Sequence, residues 1–523
     1  MAFLAAGALV PGLAGTARAV AAITPTASTD GQFSWNAHPV ADDSDFAEPS
    51  VDVDHANRIF VTAPGGAGVQ MWRSFDGGAT FDHKEIASPG GGGDSEIEFD
   101  LNDVGFTADL AIVNSNVSRS TDHFNSWTQQ GVGIEQDRQW LGHFCEKLVY
   151  LAYHDFVAEA EMINTSADSG QTWSPTPVFI SPAPGGQDPG EIADQGGNTF
   201  SGPVVVDQKT GDVYVVFAIS SVAGNLTTGV PPYGDPEQIV VGISHDGAKT
   251  FQTKLIKGGG PGSLAGLIFP WATIDKAGTV YLSWAGRDAP TDPINTFLVH
   301  SSDHGASWSA PQRINQDVGN AHIYTTISGG DPGVVDMGWY TSTKPDPSDT
   351  DADWFVDFAQ VRGADTASPQ VAQSRPYPGR IHHGDVCLEG ILCIVGGDRS
   401  LLDFFQVQIG PDGLANIAFA NNGSPDDTGR VWYARQTAGP SAGNGLHDTD
   451  HCAAAQGAPQ VVPAAAPAPG PGAGAAAARR PTPSTGGRSL FSWALLAVGA
   501  ALAGRTALTR RRGPPTRRRE PLR

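Results

Sequence analysis

SSDHGASW, Ser301–Trp308, decides the fold of this chain because its pattern recurs along the sequence. The pattern is Ser-x-Asp-x-Gly-x-Thr/Ser-Trp/Phe, and it occurs in three full copies and in two weaker ones, in which Phe124 or Ala248 replaces the glycine. The residues that define the five copies are Ser74, Asp76, Gly78, Phe81, Ser120, Asp122, Trp127, Ser166, Asp168, Gly170, Trp173, Ser244, Asp246, Phe251, Ser301, Asp303, Gly305 and Trp308. Recurrence at this spacing indicates a repeat architecture with one supersecondary unit per copy.

Each copy has the chemistry of a turn that stabilises itself. The Asp and Ser/Thr side chains are placed to hydrogen-bond nearby backbone N–H groups, and the glycine permits a positive φ. The closing aromatic ring is expected to pack beneath the turn, between neighbouring sheets. We therefore predict that every copy, which we call an eight-residue turn, joins the third and fourth strands of one sheet.

Apolar hairpins with strand-like alternation and Asp/Gly turns lie upstream of the eight-residue turns. Examples are SVDVDHANRIFVTA from Ser50, PVVVDQKTGDVYVVFA from Pro203 and WATIDKAGTVYLSWA from Trp271. A hairpin, a third strand, an eight-residue turn and a fourth strand together make one β-propeller blade. Counting hairpins predicts an all-β propeller of about seven four-stranded blades, or alternatively six, with starts near Ser50, Glu96, Gln139, Gly202, Phe269, Ile323 and Leu401.

The last of these blades has no clear fourth strand, whereas Phe33–Val40 is a strand without a blade. Pairing the two closes the ring and removes two exposed sheet edges. We therefore predict a propeller over residues 33–440 that is closed by its N-terminal strand.

These residues resemble the BNR/Asp-box superfamily of β-propellers, which includes sialidases, from about Phe33 to Ala438. The resemblance implies that three arginines hold a substrate carboxylate, that a Tyr with a Glu is the nucleophile, and that an Asp is the acid/base. The chain departs from sialidases in two ways: EPSVDVD stands near the place of their first Arg-Ile-Pro motif, and seven blades exceed their six. Asp boxes also occur in family members without sialidase chemistry.

Loops that enter the innermost strands lie on the face opposite the eight-residue turns, and we expect the functional residues there. Arg138 and Arg399 each follow an aspartate at the start of an innermost strand, where a guanidinium suits a carboxylate or a sugar. An Asp–Arg pair that braces neighbouring blades is the alternative. On the basis of their positions in the loops of this face, the predicted substrate-binding residues are Arg138, Arg399, Arg287, His154 and Tyr233. The predicted catalytic residues are Asp155, Glu191 and Asp194.

The formal net charge of −23 should repel nucleic acid, so nucleic acid is not an expected partner. The loop DPSDTDADW alternates Asp346, Asp349, Asp351 and Asp353 in a way that suits Ca²⁺, but it has neither the Gly nor the distal Glu of an EF-hand. A solvated acidic loop is the favoured interpretation. We predict no metal site and no other cofactor.

Both ends of the chain carry targeting features. Residues 1–22 are apolar and end near an A-x-A pattern, which predicts an export signal. Thr482–Gly486 (TPSTG) resembles a sortase sorting signal with Thr482 in place of Leu, so wall attachment and a retained membrane anchor both stay open. The C-terminal part begins with an Ala/Pro/Gly-rich spacer at 453–488. The apolar segment at 489–509 is predicted to be one transmembrane helix or a sorting segment, and a basic cytoplasmic tail follows at 510–523.

The four cysteines of an exported chain are disulfide candidates. Cys387 and Cys393 are close enough to staple one short loop, and Cys145 and Cys452 are then left over. Together with the targeting features, this predicts a protein of the cell surface.

Two functions follow from the fold and the arginines. The first is an exo-glycosidase of the sialidase type that acts on glycans or glycoconjugates. The second is a non-catalytic propeller that binds a glycan or a surface protein at the same face.

Overall fold

The computed structural model describes residues 25–443, all within the first of the chain's two units, Met1–Pro459. Not described inside that range are 42–45, 112–113, 134–135, 156–157, 159, 182–198, 220–222, 226–229, 234–235, 260–261, 389–392, 394–396 and 424–430. The predicted export signal, spacer, membrane or sorting segment and basic tail lie outside the described residues. Within those residues, no helix is long and apolar enough to span a bilayer.

Two strands precede the first blade: β1 (Thr26–Asp30) and β2 (Phe33–Pro39). The first blade contains β3 (Ser50–Val53), β4 (Ile59–Ala63), β5 (Gly68–Ser74) and β6 (Asp82–Ala87). The second contains β7 (Ser95–Phe99), β8 (Gly105–Leu110), β9 (Ser115–Ser120) and β10 (Thr128–Val132). The third contains β11 (Gln136–Phe144), β12 (Leu148–Asp155), β13 (Ala160–Ser166) and β14 (Val178–Phe179).

The fourth blade contains β15 (Thr199–Val206), β16 (Val213–Ile219), an inserted hairpin of β17 (Ala223–Asn225) and β18 (Val230–Tyr233), then β19 (Gln238–Ser244) and β20 (Gln252–Lys257). The fifth contains β21 (Leu264–Ala265), β22 (Trp271–Ile274), β23 (Val280–Arg287), β24 (Asn295–Ser301) and β25 (Gln312–Arg313). The sixth contains β26 (His322–Gly329), β27 (Val334–Ser342), β28 (Asp353–Arg362), β29 (Gln370–Ser374) and β30 (His382–His383). The seventh contains β31 (Gln406–Ile409), β32 (Ala415–Ala420) and β33 (Val431–Ala438).

The N-terminal strand closes the ring, and the seven-bladed all-β fold is confirmed. The seventh sheet has the order β31-β32-β33-β2-β1, with β2 antiparallel to β33 from Ser34–Ala438 to Pro39–Trp432. β1 adds an outer fifth strand that the sequence did not reveal. Trp35 of β2 is 1% exposed, donates Nε1 to Ser374 Oγ at 2.9 Å and packs edge-on against Phe358 of the sixth blade. The closing strand therefore joins two blades as well as completing one.

All five eight-residue turns contain the same four hydrogen bonds. In the third blade, Ser166 Oγ donates to Asp168 Oδ1 at 2.9 Å and accepts the N–H of Gly170 at 2.8 Å. Asp168 accepts the backbone N–H and the hydroxyl of Thr172, at 2.8 and 2.6 Å. The other four turns repeat these bonds. Each turn thus satisfies its own backbone donors.

The second blade's turn corrects one expectation about the aromatic ring. Its fifth residue, Phe124, adopts the left-handed conformation (φ 58°) in which the other copies place glycine or Ala248. The Phe124 ring is fully buried and packs edge-on against Phe99, while Trp127 at the end of the motif is 36% exposed. Because Phe124 already occupies the space beneath the turn, Trp127 is displaced to the surface.

Removing the carboxylate of one turn tests how much that turn stabilises the protein. Burial acts to raise the pKa of Asp168, but the hydrogen bonds from Thr172 and Ser166 outweigh it and hold the pKa below its usual value. We expect Asp168→Ala to lower the free energy of unfolding at pH 7 by about 1 kcal/mol, as the loss of a helix cap does. The lowered pKa means that this contribution is present above pH ~4 and is lost as the pH falls through the folded-state pKa.

Urea denaturation at pH 7 and at pH 3 measures the effect. Asp351→Ala, in an exposed loop, is the control and should leave stability unchanged. An equal loss in both variants, or a difference that persists undiminished at pH 3, would contradict the assignment.

Strand direction separates the two faces of the disc. In the third blade, β11 and β13 are both antiparallel to β12, so β11 begins at the end of the sheet opposite the eight-residue turn that follows β13. The five eight-residue turns and the β-hairpins after the innermost strands form one face, which we call the turn face. The segments that lead into the innermost strands form the other, which we call the entry face.

Two cysteine predictions fall partly within the described residues. Cys387 and Cys393 form a disulfide that closes the loop before β31. Cys145 is also disulfide-bonded, whereas Cys452 lies outside the described residues.

Candidate functional site

Charged and phenolic residues stand at the entrance to the innermost strands of five blades. Because these strands surround the propeller axis and begin at the entry face, their first residues converge there. The charges of Arg138 and Arg399 both act on Glu48 and on Asp94, so the two arginines approach the same carboxyl groups. The entry-face cluster consists of Glu48, Asp94, Glu96, Asp137, Arg138, Tyr324, Arg399 and Asp403.

Arg138 forms the floor of the cluster. It lies at a β-bulge in β11 with a φ of 39°, and such a bulge re-aims a side chain. Its guanidinium lies between two rings, 3.7 Å from the centroid of Trp140 and 4.0 Å from that of Phe404, and donates to Glu96 Oε2 at 2.6 Å. Only 2% of Arg138 is exposed, so it joins the second and third blades and supports the site from below. That it also contacts a substrate stays a prediction.

Burial raises the pKa of Glu48 and of Glu96, the two buried glutamates of the cluster. For Glu96, burial is the largest effect, and the guanidinium of Arg138 opposes it only in part. For Glu48, burial together with the charges of Asp94 and Asp403 raises the pKa well above its usual value. A carboxyl group of raised pKa keeps its proton to higher pH and is able to donate it.

Four partly exposed side chains form the rim. Arg399 Nη2 donates to Asp403 Oδ2 at 2.5 Å, but burial still raises the pKa of Asp403 against the effect of this guanidinium. Burial and the charge of Asp94 raise the pKa of Asp137 to about 7, and the two carboxyl groups are hydrogen-bonded to each other. Asp94 and Asp137 therefore titrate as a coupled pair that shares a proton.

Tyr324 brings a phenol to the same carboxyl groups. It lies at an irregularity in β26 with a φ of 55° and is 2% exposed. Burial, and next the charge of Asp403, raise its pKa well above the usual value, while Arg399 opposes the shift. Tyr324 is therefore a neutral phenol that has a proton to donate.

Several polar atoms of the cluster are buried without a hydrogen-bond partner in the described part of the chain. An unpaired buried polar group costs about 1–3 kcal/mol, so several in one place call for a common partner. Donors and acceptors occur together here, which suits a ligand rich in hydroxyl groups. The atoms are Glu48 Oε1, Arg138 Nε, Tyr324 Oη, Arg399 Nη1 and Asp403 Oδ1.

His154 and Asp155 border the cluster at the end of β12. His154 Nδ1 lies 2.9 Å from Thr199 Oγ1 and 3.3 Å from Glu161 Oε1. Burial acts to lower the pKa of His154, but Glu161, followed by the nearby aspartates, outweighs it, and the pKa is raised. Asp155 Oδ1 accepts a backbone N–H of the following loop at 2.8 Å. Both buried side chains thus lie beside the cluster, and their predicted roles in binding and catalysis stay predictions.

The remaining predicted residues are not brought to the cluster by any described contact. Arg287 ends β23, and its charge acts on Asp346 of the acidic loop. Tyr233 ends β18, whose backbone pairs with β17. Glu191 and Asp194 lie outside the described residues. Within the described part, the acidic groups of the cluster are also not spaced as metal ligands.

Sequence reasoning missed Glu48, Tyr324 and Asp403. The signal was nevertheless present, because all three lie in segments that enter innermost strands, as Arg138 does. Glu48 lies in the acidic segment that precedes the first blade, and Tyr324 lies in apolar sequence typical of a strand, so neither residue is marked by a repeated motif as Arg138 and Arg399 are.

The similarity of this chain to known proteins is confined to solved structures. No family model and no curated protein matches the chain. Among solved structures, the β-propellers similar to it include sialidases, an arabinanase and a polysaccharide lyase. The polysaccharide lyase Uly1 has a TM-score of 0.44 at 10% identity over 77% of this chain and 91% of the lyase.

Two glycoside-acting propellers are similar to a comparable degree. The Penicillium chrysogenum α-L-arabinanase has a TM-score of 0.40 at 11% identity, over 79% of this chain and 99% of that one. The NanB sialidase of Streptococcus pneumoniae has a TM-score of 0.39 at 10% identity, over 76% and 69%. At such identities and TM-scores, no argument about substrate or catalytic residues follows from the likeness.

Proposed function

We propose that the entry-face cluster binds a neutral glycan and hydrolyses its glycosidic bond. The observation that carries the proposal is the convergence, around carboxyl groups of raised pKa, of five buried polar atoms that have no hydrogen-bond partner among the described residues. Sugar hydroxyls both donate and accept hydrogen bonds, and glycoside hydrolysis requires one protonated and one ionised carboxyl group. The cluster offers both kinds of group.

The proposed roles follow from exposure and pKa. Asp137 is the general acid, because it is partly exposed and its pKa of about 7 leaves it substantially protonated at neutral pH. Its proton passes to the glycosidic oxygen as the bond from that oxygen to the anomeric carbon breaks. Asp403 is the second carboxylate, because burial raises its pKa but its ion pair with Arg399 opposes that shift. It stabilises the positive charge on the anomeric carbon or activates a water, and Tyr324 donates a hydrogen bond to the sugar.

The charge balance supports a neutral sugar over sialic acid. Arg138 and Arg399 are each paired with a carboxylate, Glu96 and Asp403. Glu48, Asp94 and Asp137 add further acidic groups, and no described contact brings Arg287 as a third arginine. No surplus positive charge is therefore available for the carboxylate of a sugar acid.

An extracellular site of action is part of the proposal. The Cys387–Cys393 disulfide and the disulfide-bonded Cys145 suit an oxidising compartment. The export signal, wall or membrane attachment and surface location predicted from the sequence support the same view.

The test is hydrolysis by the full-length protein of aryl glycosides of neutral sugars and of an aryl sialoside. We expect product from a neutral glycoside and none from the sialoside above a heat-inactivated control. Tyr324→Phe should lower kcat/KM at least about tenfold, since it removes a hydrogen bond to the substrate. Tyr150→Phe is the matched control, because the Tyr150 hydroxyl is likewise buried and unpartnered but lies at the turn face.

Three results would reject the proposal: product from the sialoside alone, no product from any glycoside, or equal effects of the two Tyr→Phe variants. Glycan binding without turnover, lost in Tyr324→Phe, would establish instead the non-catalytic binding function.

A further inference from the structure

A second group of chemically active side chains lies on the turn face, between the fourth and fifth blades. Asp207 and Asp212 flank the hairpin from β15 to β16, and His304 stands in the eight-residue turn of the fifth blade. One ligand atom from each residue lies within 4.8 Å of the others. Both carboxylates are buried, whereas the imidazole of His304 is about half exposed, so the group opens to solvent on one side.

A second imidazole approaches the same carboxylate. His304 Nδ1 lies 3.0 Å from Asp212 Oδ2, and His245 Nδ1 lies 2.9 Å from Asp212 Oδ1. His245 belongs to the eight-residue turn of the fourth blade, so two neighbouring blades each contribute one imidazole. Asp212 therefore holds two histidines from different blades.

The corresponding hairpin of the first blade, between β3 and β4, carries an arginine beside its carboxylate. The backbone hydrogen bond from Asp54 N to Arg58 O, at 3.1 Å, closes this hairpin. The bond from Asp207 N to Asp212 O, at 2.9 Å, closes the hairpin of the fourth blade in the same way. The Arg58 guanidinium lies 2.5 Å from Asp54 Oδ2, and His123 from the next blade's turn reaches the same oxygen at 3.8 Å. Two acids, a histidine and a fixed cation thus meet in the first blade, where Asp103 also pairs with Arg58.

In the fourth blade, the position of Arg58 is taken by Asp212. Among the described residues, neither Asp207 nor Asp212 forms an ion pair with a lysine or arginine, and Lys209 in the same hairpin directs its ammonium to the carbonyl of Lys276. Asp207 and His304 correspond to Asp54 and His123, but the built-in cation is replaced by the carboxylate of Asp212. A bound cation would restore the charge balance that the first blade achieves with arginine.

We propose that Asp207, Asp212 and His304 bind a divalent transition-metal ion of the Zn²⁺ class, with His245 on the open side of Asp212. Imidazole nitrogen and carboxylate oxygen are donors that Zn²⁺ accepts, whereas Ca²⁺ selects oxygen donors alone. The ion would link the fourth and fifth blades on the face remote from the entry-face cluster. Its role is therefore structural and independent of the proposed hydrolysis.

The experiment is a Zn²⁺ titration of the untagged full-length protein after removal of metals by chelation, followed by isothermal calorimetry and by metal analysis after dialysis. We expect about one Zn²⁺ per chain at micromolar free metal, no competition by Ca²⁺, and a higher melting temperature with Zn²⁺. His304→Ala, a surface change, should weaken binding at least about tenfold, and Asp212→Asn should do the same.

His383→Ala is the matched control, because His383 is an exposed histidine whose Nδ1 lies 2.8 Å from the carboxylate of Asp353. It should bind Zn²⁺ as the wild type does. Melting temperatures in chelator verify that all variants are folded. The site assignment is overturned if no saturable Zn²⁺ binding occurs, if Ca²⁺ binds in its place, or if His304→Ala and Asp212→Asn bind as tightly as His383→Ala.

Discussion

Asp137→Asn is expected to lower the turnover of a neutral glycoside by a factor of about 10² to 10⁴, the contribution of a positioned general acid. The substituted amide cannot release a proton to the leaving-group oxygen. The wild type should lose activity as the pH rises through about 7, because burial and the charge of Asp94 place the pKa of Asp137 there and the active form is protonated. Asparagine should remove this alkaline limb from the kcat profile.

The measurement is kcat as a function of pH, with an aryl glycoside of poor and one of good leaving group. A good leaving group needs less protonation, so Asp137→Asn should lower kcat less for the glycoside with the good leaving group than for the other. Asp351→Asn, in the exposed acidic loop, is the control and should keep wild-type kinetics. A variant that retains the alkaline limb would assign the titrating group elsewhere, with Asp94 the first alternative because the two carboxyl groups are hydrogen-bonded.

Trp35→Ala is expected to lower the free energy of unfolding by about 3–5 kcal/mol, the usual cost of deleting a large buried aromatic side chain. Trp35 is buried between the closing strand and the sixth blade, where it contacts Phe358 and donates a hydrogen bond to Ser374. The change therefore leaves a cavity at the junction that closes the ring and removes the hydrogen bond that Ser374 Oγ accepts.

Guanidinium denaturation followed by tryptophan fluorescence and by circular dichroism checks this. Trp127→Ala is the matched control, since it removes the same side chain from an exposed position and should cost less than about 1 kcal/mol. Equal losses in the two variants would show that the closing strand contributes little to stability.

The sequence predicted those parts of the fold in which a short motif determines its own geometry. Ser166, Asp168 and Thr172 bond to one another within seven residues, so their spacing alone identifies the turn. The closing strand was also predictable, because Phe33–Pro39 alternates apolar residues and an unpaired blade edge required a partner. By contrast, β1 reads TASTD, and its polar, exposed residues carry no signal of a strand.

The site was less predictable because its residues meet only when the ring is complete. Glu48 and Tyr324 are about 280 positions apart in sequence, and no local pattern relates them; the charge of Glu48 nevertheless acts on Tyr324. The position of Arg138 was predicted, but not that Trp140 and Phe404 enclose its guanidinium, since Phe404 belongs to the seventh blade. The pKa of Asp137 likewise depends on Asp94 from another blade.

The pairing of β2 with β33 has a consequence for the order in which the molecule matures. Ser34 of β2 meets Ala438, so β2 leaves the ribosome about 400 residues before the strand that it pairs with in the seventh sheet. Contacts over such distances form slowly, and until then two sheet borders remain open to association with other chains. A nascent or truncated product that lacks β33 therefore has an incomplete seventh sheet and an open ring, and its solubility depends on the completion of that sheet.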